Sequence, residues 1–422
     1  MRLKPRRVLL LALILFIFYV LYKILAPETS SKHIQVDKYT NKPSLTEARK
    51  NVTLKIEQSD VVRELKATYR LDWDHHLNES PWTIAQKWIS KEHVHPENTP
   101  ELGAVLRAMA TRKIIAADVG YRGTQLKMTI LLEGGQRAVF KPKWFPRDHV
   151  IEGPPYAGED RHNGEIVAFH LGRLFDFRRT PLAVGRIVNL ETEIKPVAKQ
   201  RLLETFFRRG NNTCFYGKCY YCKGEETGLC GSGVHMEGTV VLWLPNTVTL
   251  KLHKHPWSRT YRKGVIAQWE KDDNYCHNTV LLKPQFQDGP RLLDIIDMAV
   301  FDYIIGNADR HHYETLGDEQ SAVMLILDNA KSFGNPHNDE KSILAPLYQC
   351  CRIRESTWLR LHMFGDGMLS YVLEAVLSAD PIAPVISQHH FRAMDRRLST
   401  VVNTVKTCLT KFSVNEVLIK NR

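Results

Sequence analysis

Residues 8–22 run through fifteen apolar positions without a charge, a Gly or a Pro, directly after Arg2, Lys4, Arg6 and Arg7. Nothing in that run interrupts a helix, and a backbone inside hydrocarbon must satisfy its hydrogen bonds within its own segment. With Lys23 snorkelling, the span extends to about Leu25 or Ala26. It is a short spanner, because a bilayer needs roughly 17–25 residues. Flanking positive charge keeps 1–7 cytosolic and places everything after the run in the lumen of the secretory pathway. A cleaved signal peptide is the competing reading. No small-x-small cleavage site follows the run, which favours a retained type II signal anchor.

The lumenal assignment governs the cysteines. Cys214, Cys219, Cys222 and Cys230 cluster, whereas Cys276, Cys350, Cys351 and Cys408 are dispersed. Cys219 and Cys222 form a CxxC with His235 nearby, a pattern that also suits zinc. In an oxidising lumen disulfides are expected instead. Adjacent Cys350 and Cys351 then staple different partners. Three sequons, at Asn51, Asn78 and Asn211, fit a glycosylated lumenal protein.

Net charge is +12, from 58 Lys and Arg against 46 Asp and Glu. Five of those positive residues sit at the membrane segment, so the body from residue 27 on carries only +7. It has no long basic run, and nucleic acid is not expected as a partner. The 422 residues fit one large or two medium domains.

Residues 26–90 read as a polar stem with one helix near 45–65. A helix is expected over 102–109. Strands over 123–132 and 137–141, joined by a turn at 133–136, read as a hairpin. Helices are expected over 165–175 and 292–305, with Leu293, Ile296, Val300 and Tyr303/Ile304 on the buried side of the second. Strands are expected at 240–244 and 323–327, and mostly helix from 342 on. This order is an α+β pattern, a small β-rich lobe before a larger helical one, with a cleft between them suited to a nucleotide.

The chemistry concentrates in two stretches. Asp309 follows the apolar helix, in a loop, and Asp328 ends an apolar strand 19 residues later. Paired carboxylates joined by a short hairpin match the working parts of a kinase: one orients or deprotonates the attacking hydroxyl, and the other holds a metal bridging the phosphates. Glu314 stands five residues after Asp309, placed for metal or nucleotide. In the first half, Lys141 sits on the second hairpin strand with Arg137 and Val139 on its face. A strand lysine facing a cleft neutralises phosphate oxygens and needs a carboxylate to hold it; Glu165, opening the next helix, is the candidate. Asp160 is close enough to share the site as a metal ligand, and Gln125, on the first strand, is within reach of nucleotide. The stretch 241–244 (Val241, Leu242, Trp243, Leu244) reads as the inter-lobe hinge, offering backbone groups to an adenine edge while Trp243 packs. Residues 253–262 are basic and aromatic, a composition suited to a sugar or an anion.

These residues resemble a known family. The runs GTQLK at 123–127, VFKPK at 139–143, DRHN at 160–163, NNTCFYGKCYYC at 211–222, IIGNADRHHYE at 304–314, LILDNAKSFG at 325–334 and ILAPLYQCC at 343–351 look like the atypical, Golgi casein kinase-like kinases of the secretory pathway. The similarity runs from about residue 80 to near the end. It implies an atypical bilobal kinase-like fold, with a catalytic domain at 91–422 divided into lobes at about 91–240 and 245–422. The branch it resembles most implies transfer of the ATP γ-phosphate to the 2-hydroxyl of xylose in the linkage glycan of proteoglycan core proteins, with Mn²⁺ or Mg²⁺, at the Golgi membrane. By that resemblance Asp309 is the catalytic base and Asp160 and Asp328 bind metal. Lys141, Glu165, Gln125, Glu314, Asp328 and 241–244 contact nucleotide. The implied disulfides are Cys214–Cys230, Cys219–Cys222, Cys276–Cys350 and Cys351–Cys408. Gly164 stands where the family implies Ala, a change expected to loosen the helix start.

Three rival functions remain at this level. A secretory-pathway protein serine kinase uses the same phosphate machinery with a different acceptor surface. A non-catalytic ATP-binding activator requires loss of Asp309 or Asp328, and both are present. A glycosyltransferase would use the DxD-like Asp72-Trp73-Asp74, which lies in the expected stem.

Overall fold

Alternation along the hairpin strands determines which side chains face the cleft. The computed structural model describes residues 60–120, 123–287 and 289–420. Strands β1 (Ile114–Val119), β2 (Met128–Leu132) and β3 (Gln136–Pro142) pair antiparallel in sequence. In β2 and β3, Met128, Ile130, Leu132, Ala138 and Phe140 point into the small-lobe core. Period-2 geometry therefore turns Arg137, Val139 and Lys141 to the opposite face, as expected from sequence. Strand β8 (His235–Leu242) pairs with β3 on one side and with β4 (Ala183–Asn189) on the other, completing the order β1-β2-β3-β8-β4. The hairpin is shorter than expected on its first strand, so Gln125 lies in the loop before β2 and not on a strand.

Helix α4 (Asn163–Leu174) packs behind this sheet, and every one of its residues is buried. Thr239 on β8 donates its hydroxyl to the His162 carbonyl at 2.7 Å, which pins the helix start to the central strand. A small satellite sheet, β5 (Phe206–Arg209), β6 (Asn212–Phe215) and β7 (Leu229–Cys230), carries Cys214–Cys230 between its paired strands. The exposed sequon residue Asn211 sits at the turn between β5 and β6. The second described sequon residue, Asn78, is also exposed.

The large lobe is built on α5 (Arg291–Ile305). This helix is buried almost all round, more than the single face expected; Leu293 is its half-buried exception. The buried surface includes Asp294, Asp297 and Asp302, and each of the three meets an arginine. Arg179 and Arg354 pair with Asp294 and Asp297, and Arg310 pairs with Asp302. Helices α6 (Ala345–Cys350) and α9 (Gln388–Leu409) pack on α5, and α7 (Glu355–Met363) and α8 (Met368–Leu377) pack on α9. Cys276–Cys350 and Cys351–Cys408 fasten the end of α6 on two sides, so all four expected disulfides are formed and no cysteine is free. Strands β9 (Leu250–Lys254), β10 (His312–Leu316) and β11 (Met324–Leu325) form a three-stranded sheet in the order β11-β10-β9.

The stem expected to reach residue 90 ends earlier. Helices α1 (Asp60–Tyr69) and α2 (Pro81–Lys87) are packed onto the body, and the expected helix over 102–109 follows as α3 (Pro100–Thr111). Tyr69 is buried against Phe364, its hydroxyl donates to Glu97 at 2.7 Å, and Trp82 donates its indole N–H to the Glu133 carbonyl at 2.9 Å. Aromatic residues at 69, 73, 82 and 88 supply apolar area that a solvated stem has no use for. The anchor expected at 8–25 and the sequon at Asn51 lie outside the described residues. Among the described residues, no helix is long and apolar enough to cross a membrane.

Candidate active site

The site is assembled from one strand of the small lobe, the start of α4 and two loops of the large lobe. Lys141 projects from β3 into a ring of carboxylates. Its Nζ lies 2.6 Å from Glu165 Oε1, 3.0 Å from Asp328 Oδ1 and 3.8 Å from Asp160 Oδ2. Burial alone would lower the Lys141 ammonium, but the three carboxylates hold it well above the usual lysine range. The fold thus brings together four of the residues singled out from the sequence.

The three acids differ. Asp328 opens to the cleft, and Lys141 beside it holds its carboxyl well below the ordinary range. Asp160 is buried, and burial raises its carboxyl to about 6 despite the pull of Lys141 and Lys331; the charges of Asp328 and Glu165 add to the rise. An excess of negative charge is therefore stored at one point, held by hard oxygen donors. That donor set fits a divalent oxygen-seeking cation such as Mn²⁺ or Mg²⁺. Among the described residues no three or more His, Cys, Asp or Glu side chains converge to hold an ion. Two carboxylates, Asp160 and Asp328, are what the protein offers.

Asp328 has φ of 55°, in the left-handed region that non-glycine residues seldom occupy. Its neighbour Asn329 is fully buried and holds the turn. The Asn329 main-chain N–H donates to Glu165 Oε1 at 3.1 Å, and its Nδ2 donates to Glu165 Oε2 at 3.1 Å. Arg310 donates to Asn329 Oδ1 at 2.9 Å, to both oxygens of Asp302 at 2.8 and 2.9 Å, and to the Leu327 carbonyl. A continuous buried chain, Asp302–Arg310–Asn329–Glu165–Lys141, therefore ties the loop after α5 to the loop after β11 and to α4. Gly164 belongs to this junction. A Cβ there would stand 2.6 Å from the Asn329 carbonyl oxygen, so the glycine permits a close approach of α4 to the Asp328 turn and is not simply a weak helix start.

Asp309 is delivered by the end of α5. Gly306, at φ 73°, stops the helix in the left-handed conformation that suits glycine. Asn307 then donates Nδ2 to Asp302 and accepts the Asp309 N–H at 3.1 Å, which fixes the loop. Tyr261 donates its hydroxyl to Asp309 Oδ1, and lies against Tyr156 edge-to-face at 4.8 Å. Burial and the bond to Asp309 push the Tyr261 phenol well up. Tyr261 belongs to the basic-aromatic stretch singled out from sequence, where no single residue of it could be assigned.

Other expected contacts are brought to varying degrees of proximity. Glu314 lies on β10, cross-strand from Leu325, and its carboxyl is raised by burial and then by the charge of Asp328. The 241–244 stretch leaves β8 at the lobe boundary. Trp243 donates its main-chain N–H to the Arg137 carbonyl at 3.1 Å and accepts from Gln136 at 2.9 Å, so its donor is spent within the lobe and its ring is part-exposed, not packed. Lys127 was missed. It stands one step before Met128, cross-strand from the position of Lys141, and burial followed by the positive charge of Lys141 lowers its ammonium. The hairpin register contains that signal, since Lys127, Thr129 and Lys141 share a face. The satellite sheet supports the loop carrying Gln125: Tyr220 and Tyr221, within the Cys219–Cys222 loop, donate N–H to the Gly123 and Thr124 carbonyls at 3.4 Å.

A strand lysine held by a helix glutamate, an aspartate on a strained turn and a second aspartate on the loop after a buried helix define a kinase-like phosphotransferase. The chain belongs to the Fam20 family: the family described as Golgi casein kinase, C-terminal, Fam20 matches residues 80–417. The human protein named glycosaminoglycan xylosylkinase is 60% identical over 348 residues, which is 82% of this chain and 85% of that one. Among solved structures, a hydra Fam20 determined with sugar superposes with a TM-score of 0.79 at 46% identity, covering 82% of this chain and all of the other. The Golgi casein kinase with Mn/ADP bound superposes with a TM-score of 0.78 at 31% identity, over 94% and 96% of the two chains.

Proposed function

We propose that this chain phosphorylates the 2-hydroxyl of xylose in the linkage glycan joining glycosaminoglycans to proteoglycan core proteins, using ATP, and so promotes glycosaminoglycan synthesis. The observation that carries a phosphotransfer reading is the Lys141 ring, in which one ammonium meets Glu165 at 2.6 Å and two further carboxylates within 4.0 Å. The sugar acceptor rests on the 60% identity with a protein named for that acceptor.

Roles follow from position. Glu165, held by Asn329, keeps Lys141 extended, and Lys141 neutralises α- and β-phosphate oxygens. Lys127 on the same face adds a second positive charge. Gln125, Glu314 and the 241–244 stretch border the nucleotide. Asp160 and Asp328 would hold Mn²⁺ or Mg²⁺, and such an ion, when bound, neutralises charge on the phosphates. Asp309 accepts the proton of the xylose hydroxyl as its oxygen bonds the γ-phosphorus, and the ADP oxygen leaves in line. Tyr261 shares Asp309 and borders the acceptor side. The paired cysteines and the basic-flanked apolar run support a type II Golgi membrane protein with this body in the lumen.

Labelled ATP supplied to the full chain, with a galactosyl-xylosyl acceptor and casein in parallel, tests this reading. Label is expected on the xylose. Label on casein serine with none on the sugar would instead establish the protein serine kinase.

A further inference from the structure

A cavity of about 680 Å³ is lined by β9, the segment that follows it and Tyr313 of β10, and it contains none of the residues of the Lys141 ring. Lys254, Arg259 and Lys283 line it, with Ser258, Thr260 and Gln268 as further donors, and no Asp or Glu is among the described residues that do so. Arg259 is partly neutralised by Glu270 and Glu340 at 3.9 and 3.8 Å, but Lys254 and Lys283 are exposed. The wall aromatics Trp269, Tyr275 and Tyr313 are buried, so they offer no open face for a sugar ring to stack on. β9 is the outer strand of its sheet, and among the described residues no strand pairs with its far edge. That edge presents main-chain donors and acceptors at the spacing of an extended peptide.

The cavity also adjoins the acceptor side of the active site. Thr260 lines it, and the next residue, Tyr261, is bonded to Asp309; consecutive Cα atoms are about 3.8 Å apart. Lys254 is cross-strand from His312, three residues after Asp309. A glycan acceptor joined to a protein therefore brings its peptide within reach of this groove when its sugar meets Asp309.

We propose that the groove along β9 binds an acidic, extended stretch of the acceptor's own core protein, with Lys254 and Lys283 reading its carboxylates. The inference rests on the xylosyl acceptor reading and adds to it a preference for acceptors whose attachment site is flanked by Asp or Glu. Charge complementarity of this kind acts mainly on encounter and selection.

The test has a binding arm and a kinetic arm, both with the full chain. In the first, fluorescence anisotropy compares a sugar-free Asp/Glu-rich peptide, its Asn/Gln counterpart and a sulfated oligosaccharide. The acidic peptide is expected to bind about tenfold or more tightly than the neutral one, with the difference shrinking at high salt. K254E/K283E should abolish that difference, and a melting curve checks that the variant is folded. In the second arm, the acidic-to-neutral ratio of kcat/KM on xylosylated peptides should fall to about one in K254E/K283E, the change appearing in KM. Equal binding of the two peptides, or an acidic preference that survives the double substitution, overturns the proposal and leaves the lysines as guards of an exposed strand edge. Tighter, lysine-dependent binding of the sulfated oligosaccharide overturns the peptide assignment in favour of a glycan. Acidic-peptide binding that depends on the lysines, in a chain that leaves the galactosyl-xylosyl acceptor unphosphorylated, supports the groove and removes only the xylosyl reading.

Discussion

Asn329→Ala isolates the buried junction on which Lys141 depends. The substitution deletes the Nδ2 bond to Glu165 at 3.1 Å and the Oδ1 bond from Arg310 at 2.9 Å, both involving ionised partners inside the protein, and a second Nδ2 bond, to the Ile326 carbonyl at 3.1 Å. Hydrogen bonds to charged groups contribute about 1.5–3 kcal/mol each. Glu165 keeps the Asn329 main-chain N–H and Lys141, and Arg310 keeps Asp302 and Leu327, so the lower figure applies to each. With about 1 kcal/mol for the neutral bond to Ile326, the expected loss is about 4 kcal/mol. At roughly 2 °C per kcal/mol for a domain of this size, the melting temperature should fall by about 8 °C. Function should change in a direction that general destabilisation does not produce. Glu165 loses one of its two asparagine donors and turns toward water, Lys141 follows it, and KM for ATP should rise several-fold with kcat falling as well. Scanning calorimetry and initial rates at varied ATP, well below the melting point, read the two effects separately. Asn329→Asp, which keeps the Arg310 bond but sets a carboxylate against Glu165, should be worse than Ala for ATP while retaining more stability. A melting temperature within 1 °C of the parent, or an unchanged KM for ATP in both variants, would refute the idea that Asn329 positions the lysine through Glu165.

Three further outcomes are expected. Asp309→Ala should abolish phosphate transfer while calorimetric titration still detects ATP binding, because Asp309 lies outside the Lys141 ring; retained turnover on a xylosyl acceptor would remove it as the base. Asp160→Asn should raise the melting temperature of the metal-free protein at pH 7: a carboxyl raised to about 6 in the fold from an ordinary 3.8 contributes stability present below pH 3.8 and lost as pH rises through 6, so the gain from Asn should shrink toward pH 4. The disulfides should separate structure from site. Loss of Cys351–Cys408, which closes a 57-residue separation, should cost about 4 kcal/mol by chain entropy, whereas loss of Cys219–Cys222, separated by 3, should cost only about 2 kcal/mol but raise KM for ATP through the Gly123–Thr124 loop.

Much of the candidate site was legible because it is local. Strand alternation turns Lys141 away from Phe140, an apolar helix run ends at Gly306 just before Asp309, and a short apolar strand ends at Asp328. Each position follows from the neighbouring residues alone. Gln125 was misplaced onto a strand because the polar start of its run still alternates, and the helices between 60 and 90 were read as stem because short amphipathic segments show burial only through what they pack on. Arg310, Asn329 and Lys127 were not assigned, since nothing local distinguishes a buried Arg or Asn from a solvated one.

Periodicity, spacing and composition pointed to the lobe order, the two aspartates, the lysine and its glutamate, and the resemblance to a known family implied the cysteine pairs. Packing between distant parts of the chain sets how three carboxylates share one ammonium, which of them is raised to about 6, and how closely α4 approaches the Asp328 turn at Gly164. It alone joined Tyr261 to Asp309 and opened a carboxylate-free groove beside them. Charge environment and close approach depend on atoms brought together from 48 to 187 residues away, a distance over which pattern in the chain carries no geometry.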